Sequence, residues 1–181
     1  RSLDLLNSDE RRLGLAVGHA VPLLMRGQTN VQTWAPSALP EAGGDLLERL
    51  MQVYEQDPIF KNALSQAMES VDLIAGVLDN QMGGTKKRRR RINIKTIAEA
   101  AGKFLATPDG PRVATIESGG WDTHAGQKPR LGNKLKELNE GLVVLKKNLG
   151  EAWTDTVVIV VSEFGRTVAA NGTRGTDHGT G

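Results

Sequence analysis

The apolar run at residues 157–161 (VVIVV) constrains the fold of this chain more than any other segment. The run is short, entirely β-branched and bounded by polar residues on both sides. Such runs are typical of strands that are buried on both faces, which occur mainly in the parallel sheets of α/β proteins. We therefore predict an α/β fold in which the apolar run is a strand of a mostly parallel sheet.

Two segments before the apolar run predict the unit to which it belongs. Residues 112–117 indicate a strand, and leucines spaced by three and four residues between positions 130 and 149 indicate an amphipathic helix. Strand 112–117, helix 130–149 and strand 156–161 then form a βαβ unit, which is almost always right-handed with parallel strands. Both strands of such a unit end at the same edge of the sheet.

Apolar residues at helical spacing predict four further helices in the first 106 residues. The segments concerned are residues 8–22, 45–54, 57–80 and 93–106. Residues 28–44 are rich in Gln, Thr, Asn, Pro and Gly and predict a loop, which Trp34 would anchor on the body of the protein.

The composition fits a single globular domain. The 181 residues are 39% apolar and 24% charged, which is enough apolar surface for a core. The chain has no cysteine, so disulfides and thiolate metal ligands are excluded. No apolar run approaches the roughly 20 residues of a membrane-spanning helix, and no signal peptide is visible. Because the chain starts without Met and stops straight after a polar motif, we expect residues 1–181 to be a fragment or a processed product.

Six consecutive cations at residues 86–91 (KKRRRR) account for the formal net charge of +2. Without them 17 basic residues oppose 21 acidic ones, so the rest of the chain is mildly acidic. We interpret residues 80–92 as a basic surface loop. The alternative is a contact with polyanions, such as nucleic acid or a membrane surface. No aromatic residue interleaves the cations to stack on bases, so we do not expect specific nucleic-acid binding.

Acidic residues and histidines follow both strands of the predicted βαβ unit. Asp122 and His124 come after strand 112–117, Glu163 follows the apolar run after Ser162, and Asp177 and His178 lie on the next loop. Because ligands bind outside the carboxyl ends of parallel strands, we expect the two loops to meet and to hold metal. Carboxylate and imidazole ligands suit zinc, or manganese or iron where oxygen ligands predominate.

Each of these signals has a structural interpretation as well. An Asp-His pair in a Gly-rich loop is more often a turn with a capping Asp, and Glu163 alone would also suit a cap. Arg166 has two interpretations: a counter-ion for one of the carboxylates, or a contact for an anionic group of the substrate, because a guanidinium matches phosphate geometry. The conjunction of these residues at one sheet edge favours the metal site.

Four short motifs carry a resemblance to a known family. Residues 119–125 (GGWDTHA), 162–166 (SEFGR), 171–172 (NG) and 175–179 (GTDHG) resemble the bacterial family catalogued as domain of unknown function 1501. That family resembles the alkaline phosphatase and sulfatase superfamily. The resemblance implies a three-layer α/β/α fold with a mostly parallel sheet, of which this chain is an incomplete part, and a bimetal site that usually holds zinc.

The resemblance also implies roles for individual residues. Asp122, His124, Glu163 and His178 would be metal ligands, with Asp177 either a ligand or a partner of one. The superfamily commonly has histidine where this sequence has Phe164. Its nucleophile lies near the beginning of the fold, so the resemblance places it outside this chain.

The implied function is the metal-dependent hydrolysis of a small phosphate or sulfate ester. The alternative is a non-catalytic metal-binding or interaction protein whose basic loop contacts polyanions. Members of the family resemble exported proteins, which implies an exported or periplasmic location. The sequence does not indicate the substrate or the oligomeric state.

Overall fold

The computed structural model describes residues 13–18, 20–28, 31–36, 42–65, 67–68, 93–108 and 110–180. These residues form a mixed α/β fold with a three-stranded parallel sheet, four helices and a separate two-stranded hairpin. The strands are β1 Gly14–Val17, β2 Val31–Trp34, β3 Val113–Ile116, β4 Gly165–Ala170 and β5 Thr176–Gly179. The helices are α1 Gly44–Val53, α2 at residues 58–65 and 67–68, α3 Ile94–Ala106 and α4 Gln127–Leu149, with short 3-10 helices at Leu23–Met25 and Gly150–Asp155.

Strand β1 is the centre of the parallel sheet, whose strand order is β2-β1-β3. All four of its residues are buried. Leu15 and Val17 pack on one face of the sheet against α3 and α4, while Ala16 packs on the other face against Met25. The side chains of β1 therefore alternate between two apolar clusters, one on each face of the sheet. This is expected for a parallel strand that is covered on both sides.

Two sequence predictions about the first strands are wrong. The segment 14–17 is a strand instead of part of a helix, because a four-residue apolar run is too short for its periodicity to separate the two states. Residues 31–34 form β2 inside the predicted loop, where pairing with β1 supplies the backbone hydrogen bonds. Trp34 lies on this strand and packs edge-on against Phe104, at 6.3 Å between ring centroids. Its predicted role as an anchor on the body is therefore confirmed.

The apolar run at residues 157–161 is not a strand, which corrects the prediction from which the fold was derived. Its side chains are exposed, from 39% at Val158 to 84% at Val157. A strand needs a neighbouring strand for its backbone hydrogen bonds as well as a suitable sequence. The described sheet ends at β3 and does not include this run. The predicted βαβ unit is therefore present only as its first strand and its helix, β3 and α4.

Helices α1, α3 and α4 confirm three of the predicted helices, and α2 begins as predicted. Asn93 caps α3, since its side chain accepts a hydrogen bond from the backbone N–H of Lys95. The later part of the predicted 57–80 helix and the basic loop at residues 80–92 lie outside the described residues. Within the described ranges, none of the helices is both long and apolar enough to cross a membrane.

The close packing of α3 on α4 depends on Gly102. A Cβ added there would lie 2.7 Å from Cβ of Asn148 and 3.1 Å from the carbonyl oxygen of Leu145. We expect Gly102→Ala to lower the free energy of unfolding by about 1–3 kcal/mol, because the two helices must separate. Urea denaturation followed by circular dichroism measures this loss.

Gly141 on α4 offers a matched control for that substitution. A Cβ at Gly141 would meet only the side chain of Ile94, at 3.1 Å, and that side chain can adjust. Alanine also favours a helix over glycine by about 1 kcal/mol. Gly141→Ala should therefore leave stability nearly unchanged, and an equal loss in both variants would contradict the assignment of Gly102 to a tight helix contact.

Candidate metal centre

The residues of the last predicted loop form a β-hairpin. Strands β4 and β5 pair antiparallel, with Gly165 opposite Gly179 and Arg166 opposite His178. Asp177 and His178 therefore lie on a strand, which corrects the prediction of a loop at these positions. The alternation of a strand sends neighbouring side chains to opposite faces, so these two residues approach the site from different sides.

The turn of this hairpin docks on the start of α4. The backbone N–H groups of Gly126 and Gln127 donate to the carbonyls of Thr173 and Arg174, at 3.0 and 3.1 Å. Helix N-termini have N–H groups without partners inside the helix, and α4 has no side-chain cap at Gly126. The hairpin turn accepts hydrogen bonds from these N–H groups. These bonds fix the position of β5 relative to the loop that precedes α4.

Arg166 joins the same two segments through its guanidinium group. Its Nη1 donates to the carbonyls of Thr123 and Thr176 at 2.9 and 2.8 Å, and its Nη2 donates to the carbonyl of Trp121 at 2.8 Å. The guanidinium carbon also lies 5.1 Å from the ring centroid of Phe164. The structure thus shows a structural role for Arg166, and its contact with a substrate anion stays a prediction.

Three potential metal ligands converge where the two segments meet. Oδ1 of Asp122 lies 2.7 Å from Nε2 of His124 and 2.9 Å from Nε2 of His178. Each of the three residues offers one ligand atom, and these atoms all lie within 4.8 Å of one another. The ligands of a tetrahedral zinc ion, at about 2.0–2.2 Å from the metal, are about 3.3–3.6 Å apart. Two of the three separations are shorter than this spacing and the third is within 4.8 Å, so changes of about 1 Å in each would reach the spacing of a zinc site.

His124 faces a carboxylate at both ring nitrogens, since its Nε2 lies 2.7 Å from Oδ1 of Asp122 and its Nδ1 lies 3.2 Å from Oδ1 of Asp177. An imidazolium that donates from both nitrogens, or a divalent cation bound at Nε2, would satisfy this arrangement. Two imidazoles and a carboxylate are ligands that divalent metals accept, so the donor set fits a divalent metal.

The electrostatics of the cluster keep Asp122 ready to act as a ligand. A hydrogen bond from His178 holds the pKa of Asp122 below its usual value, and the charge of His124 acts in the same direction. The ionised form required for metal binding therefore predominates at neutral pH. Phe164 stacks on His178, with ring centroids 4.4 Å apart and ring planes 20° apart, and so fixes the plane of that imidazole.

The site is open to solvent. The exposed fractions of the side chains are 41% for His124, 46% for His178 and 61% for Asp122. Structural zinc sites are usually closed by four protein ligands, whereas catalytic sites have three and leave a position for water or substrate. Among the described residues the cluster offers three ligands and is exposed, so one side of it is open to solvent.

Comparison with known protein families identifies the relatives of this chain. The model of the family described as "Protein of unknown function (DUF1501)" matches residues 7–181. The chain belongs to this family. No curated protein and no solved structure shows a significant match.

The structure brings together most, but not all, of the residues that the sequence of this DUF1501 chain singles out. Asp122, His124 and His178 form the ligand cluster, and Asp177 contacts it through His124. Glu163 is exposed and does not belong to the cluster. The apolar run that precedes Glu163 was expected to deliver it to the sheet edge, and that run does not join the sheet. The role of Glu163 as a metal ligand stays a prediction.

Sequence reasoning missed the role of Asn171 in this site. Its side chain contacts both Asp177 and the backbone of His124. The Asn-Gly pair at residues 171–172 is a common turn signal, and the sequence offers no sign that the amide also reaches the cluster.

Proposed function

We propose that this chain provides the metal centre of a metal-dependent hydrolase that acts on a phosphate or sulfate ester. The observation that carries the proposal is the convergence of Asp122, His124 and His178 on one point in an exposed site. We further propose that the fold belongs to the alkaline phosphatase and sulfatase superfamily. A central parallel strand with packing on both faces is compatible with that three-layer architecture.

Zinc is the metal that the proposal favours. Two imidazoles and one carboxylate are a familiar zinc set, and the same set binds iron(II) in other enzymes, while the oxygen donors leave manganese as a third option. When bound, a divalent metal would act as a Lewis acid on a phosphoryl or sulfuryl oxygen. Asp122, His124 and His178 would hold that ion, and Phe164 limits the rotation of the His178 ring by stacking on it.

The exposure of the site would allow a small ligand to reach the cluster from solvent. An anionic ester oxygen could approach the cluster from the solvent side, because all three ligand side chains are at least 41% exposed. Two imidazoles contribute no negative charge, so a divalent ion held by one carboxylate retains a net positive charge. That charge attracts a phosphate or a sulfate group.

Titration with zinc tests the proposal, with Asp122→Ala and His178→Ala beside the parent chain. We expect one zinc per parent chain and a loss of at least about 10-fold in affinity in each variant, because each substitution removes one of three ligands. Asp155→Ala serves as a control, since Asp155 is exposed on a 3-10 helix and lies outside the cluster. Equal zinc binding by all four proteins would refute the metal centre.

The hydrolase part of the proposal has its own readout. Because the resemblance places the nucleophile outside this chain, we expect residues 1–181 alone to show weak or no zinc-dependent cleavage of 4-nitrophenyl phosphate or sulfate, and any such cleavage to be lost in both ligand variants. Cleavage at the same rate in the parent and in both ligand variants would contradict a metal-dependent hydrolase and favour a non-catalytic metal-binding protein.

A further inference from the structure

Thr123 separates two of the proposed metal ligands in the sequence and differs from both in its burial. Oδ1 of Asp122 and Nε2 of His124 lie 2.7 Å apart, so these two side chains reach the same point. Thr123 has only 4% of its surface exposed, whereas the side chains of Asp122 and His124 are 61% and 41% exposed. Alternate side chains of an extended segment lie on opposite sides of the backbone. The two ligands therefore occupy the solvent side of this segment and Thr123 occupies its buried side.

The backbone of the same segment is held by the hairpin. Nη1 of Arg166 donates to the carbonyl of Thr123 at 2.9 Å. Nδ2 of Asn171 and the hydroxyl of Thr173 donate to the carbonyl of His124, at 3.1 and 2.9 Å. These bonds fix the position of the carbonyl groups. A buried side chain in the segment adds a further restraint, because it limits rotation of the segment about its own axis.

The hydroxyl of Thr123 does not supply this restraint. Within the part of the chain that the structure describes, its Oγ1 is buried and has no hydrogen-bond partner. A buried hydroxyl without a partner lowers stability, because it loses its hydrogen bonds to water and gains none in return. The restraint therefore comes from the hydrocarbon part of the side chain. Burial of the methyl group is favourable, and the branched Cβ limits the side chain to few rotamers.

We propose that Thr123 is a positioning residue for the metal centre, whose buried methyl group and branched Cβ direct Asp122 and His124 to the ion while its hydroxyl is dispensable. The inference rests on the metal centre proposed above. Thr123 acts through the backbone that it shares with the two ligands and contacts neither the metal nor a substrate.

Two substitutions separate the methyl group of Thr123 from its hydroxyl. Thr123→Val keeps the branched Cβ and loses the hydroxyl. Such an exchange is usually not neutral because the hydroxyl has partners, and here it has none. Thr123→Ser keeps the hydroxyl, leaves a cavity in place of the methyl group and frees the hydroxyl to bond to nearby backbone groups. We expect Thr123→Val to bind zinc like the parent and Thr123→Ser to bind about 10-fold more weakly in calorimetric titrations.

Ile97→Val is the matched control for a general loss of stability. Ile97 is 9% exposed and lies on α3 in the main apolar cluster. The substitution removes one buried methyl group, as Thr123→Ser does, but at a position outside the metal centre. Both variants should lower the midpoint of urea denaturation. Only Thr123→Ser should lower the affinity for zinc, whereas Thr123→Val should lower neither quantity.

Nitrogen-15 relaxation of the backbone amides in the zinc-free protein provides a second readout. In the parent, in Thr123→Val and in Ile97→Val, the order parameters of residues 122–124 should be close to about 0.85, the value typical of rigid backbone. In Thr123→Ser they should fall, because the segment has lost its buried restraint. A loss of stability elsewhere in the protein would not change the order parameters of these three residues.

The inference requires both readouts to change in Thr123→Ser and neither to change in Thr123→Val. Weaker zinc binding in Thr123→Val would assign a role to the hydroxyl and overturn the inference. Parent-like binding or unchanged order parameters in Thr123→Ser would also overturn it, and both results would leave the metal centre intact. A parent that binds no zinc would overturn the metal centre and the inference together.

Discussion

Gly175→Ala is expected to lower zinc affinity by about 100-fold, at the upper end of the effects seen when the support of a metal ligand is lost. A Cβ at Gly175 would overlap the carbonyl oxygen of His124 and lie 2.6 Å from its carbonyl carbon. Both groups belong to the backbone, so no change of side-chain rotamer relieves the overlap. The hairpin would have to move away from the segment that carries Asp122 and His124, and His178 would move with it.

Gly172 in the same turn provides the control for this substitution. A Cβ at Gly172 would meet nothing within 4 Å, so Gly172→Ala should retain the zinc affinity of the parent. Calorimetric titration of both variants measures the difference. Parent-like binding by Gly175→Ala would show that the hairpin and the loop do not meet as described, and would contradict the geometry of the whole site.

Arg166→Ala is expected to lower the free energy of unfolding by about 2–4 kcal/mol. The substitution removes three hydrogen bonds from a charged donor to main-chain carbonyls, together with the contact with Phe164. Hydrogen bonds to charged groups contribute about 1.5–3 kcal/mol each, and partial exposure of this side chain reduces their sum. Denaturation by urea, monitored by tryptophan fluorescence, measures the loss.

Arg166→Lys distinguishes geometry from charge. Lysine keeps the positive charge but lacks the planar fork that reaches three carbonyls on two segments. We expect it to recover less than half of the lost stability. Full recovery by lysine would assign the effect of Arg166 to its charge. It would contradict the view that the hydrogen bonds of the guanidinium hold residues 121–123 and β5 together.

The predictions that succeeded from sequence depend on local signals, as the helices show. Leucines at spacings of three and four define α4, and Asn93 followed by an apolar face defines α3, because a helix satisfies its own backbone groups. The apolar run at residues 157–161 has an equally clear signal, yet it lies outside the sheet. A strand forms only when a second strand lies beside it. The sequence of one segment does not show whether the fold places such a partner next to it.

The candidate site was predictable in part for a similar reason. Two Asp-His pairs in Gly-rich segments identify potential ligands from their chemistry alone, and the structure places Asp122, His124 and His178 together. The roles of Arg166 and Asn171 were not predictable, since both act through backbone carbonyls of residues more than 40 positions away in the sequence. Backbone groups look alike at every position, so sequence does not identify which of them a side chain will reach.

X-ray absorption at the zinc edge of the zinc-loaded chain tests the metal centre most directly. The account predicts two imidazole nitrogens and oxygen donors at about 2.0–2.2 Å, with one imidazole lost in His178→Ala and an unchanged spectrum in the Asp155→Ala control. A parent spectrum without imidazole, or one that His178→Ala leaves unchanged, would contradict the assignment of Asp122, His124 and His178 as the metal ligands.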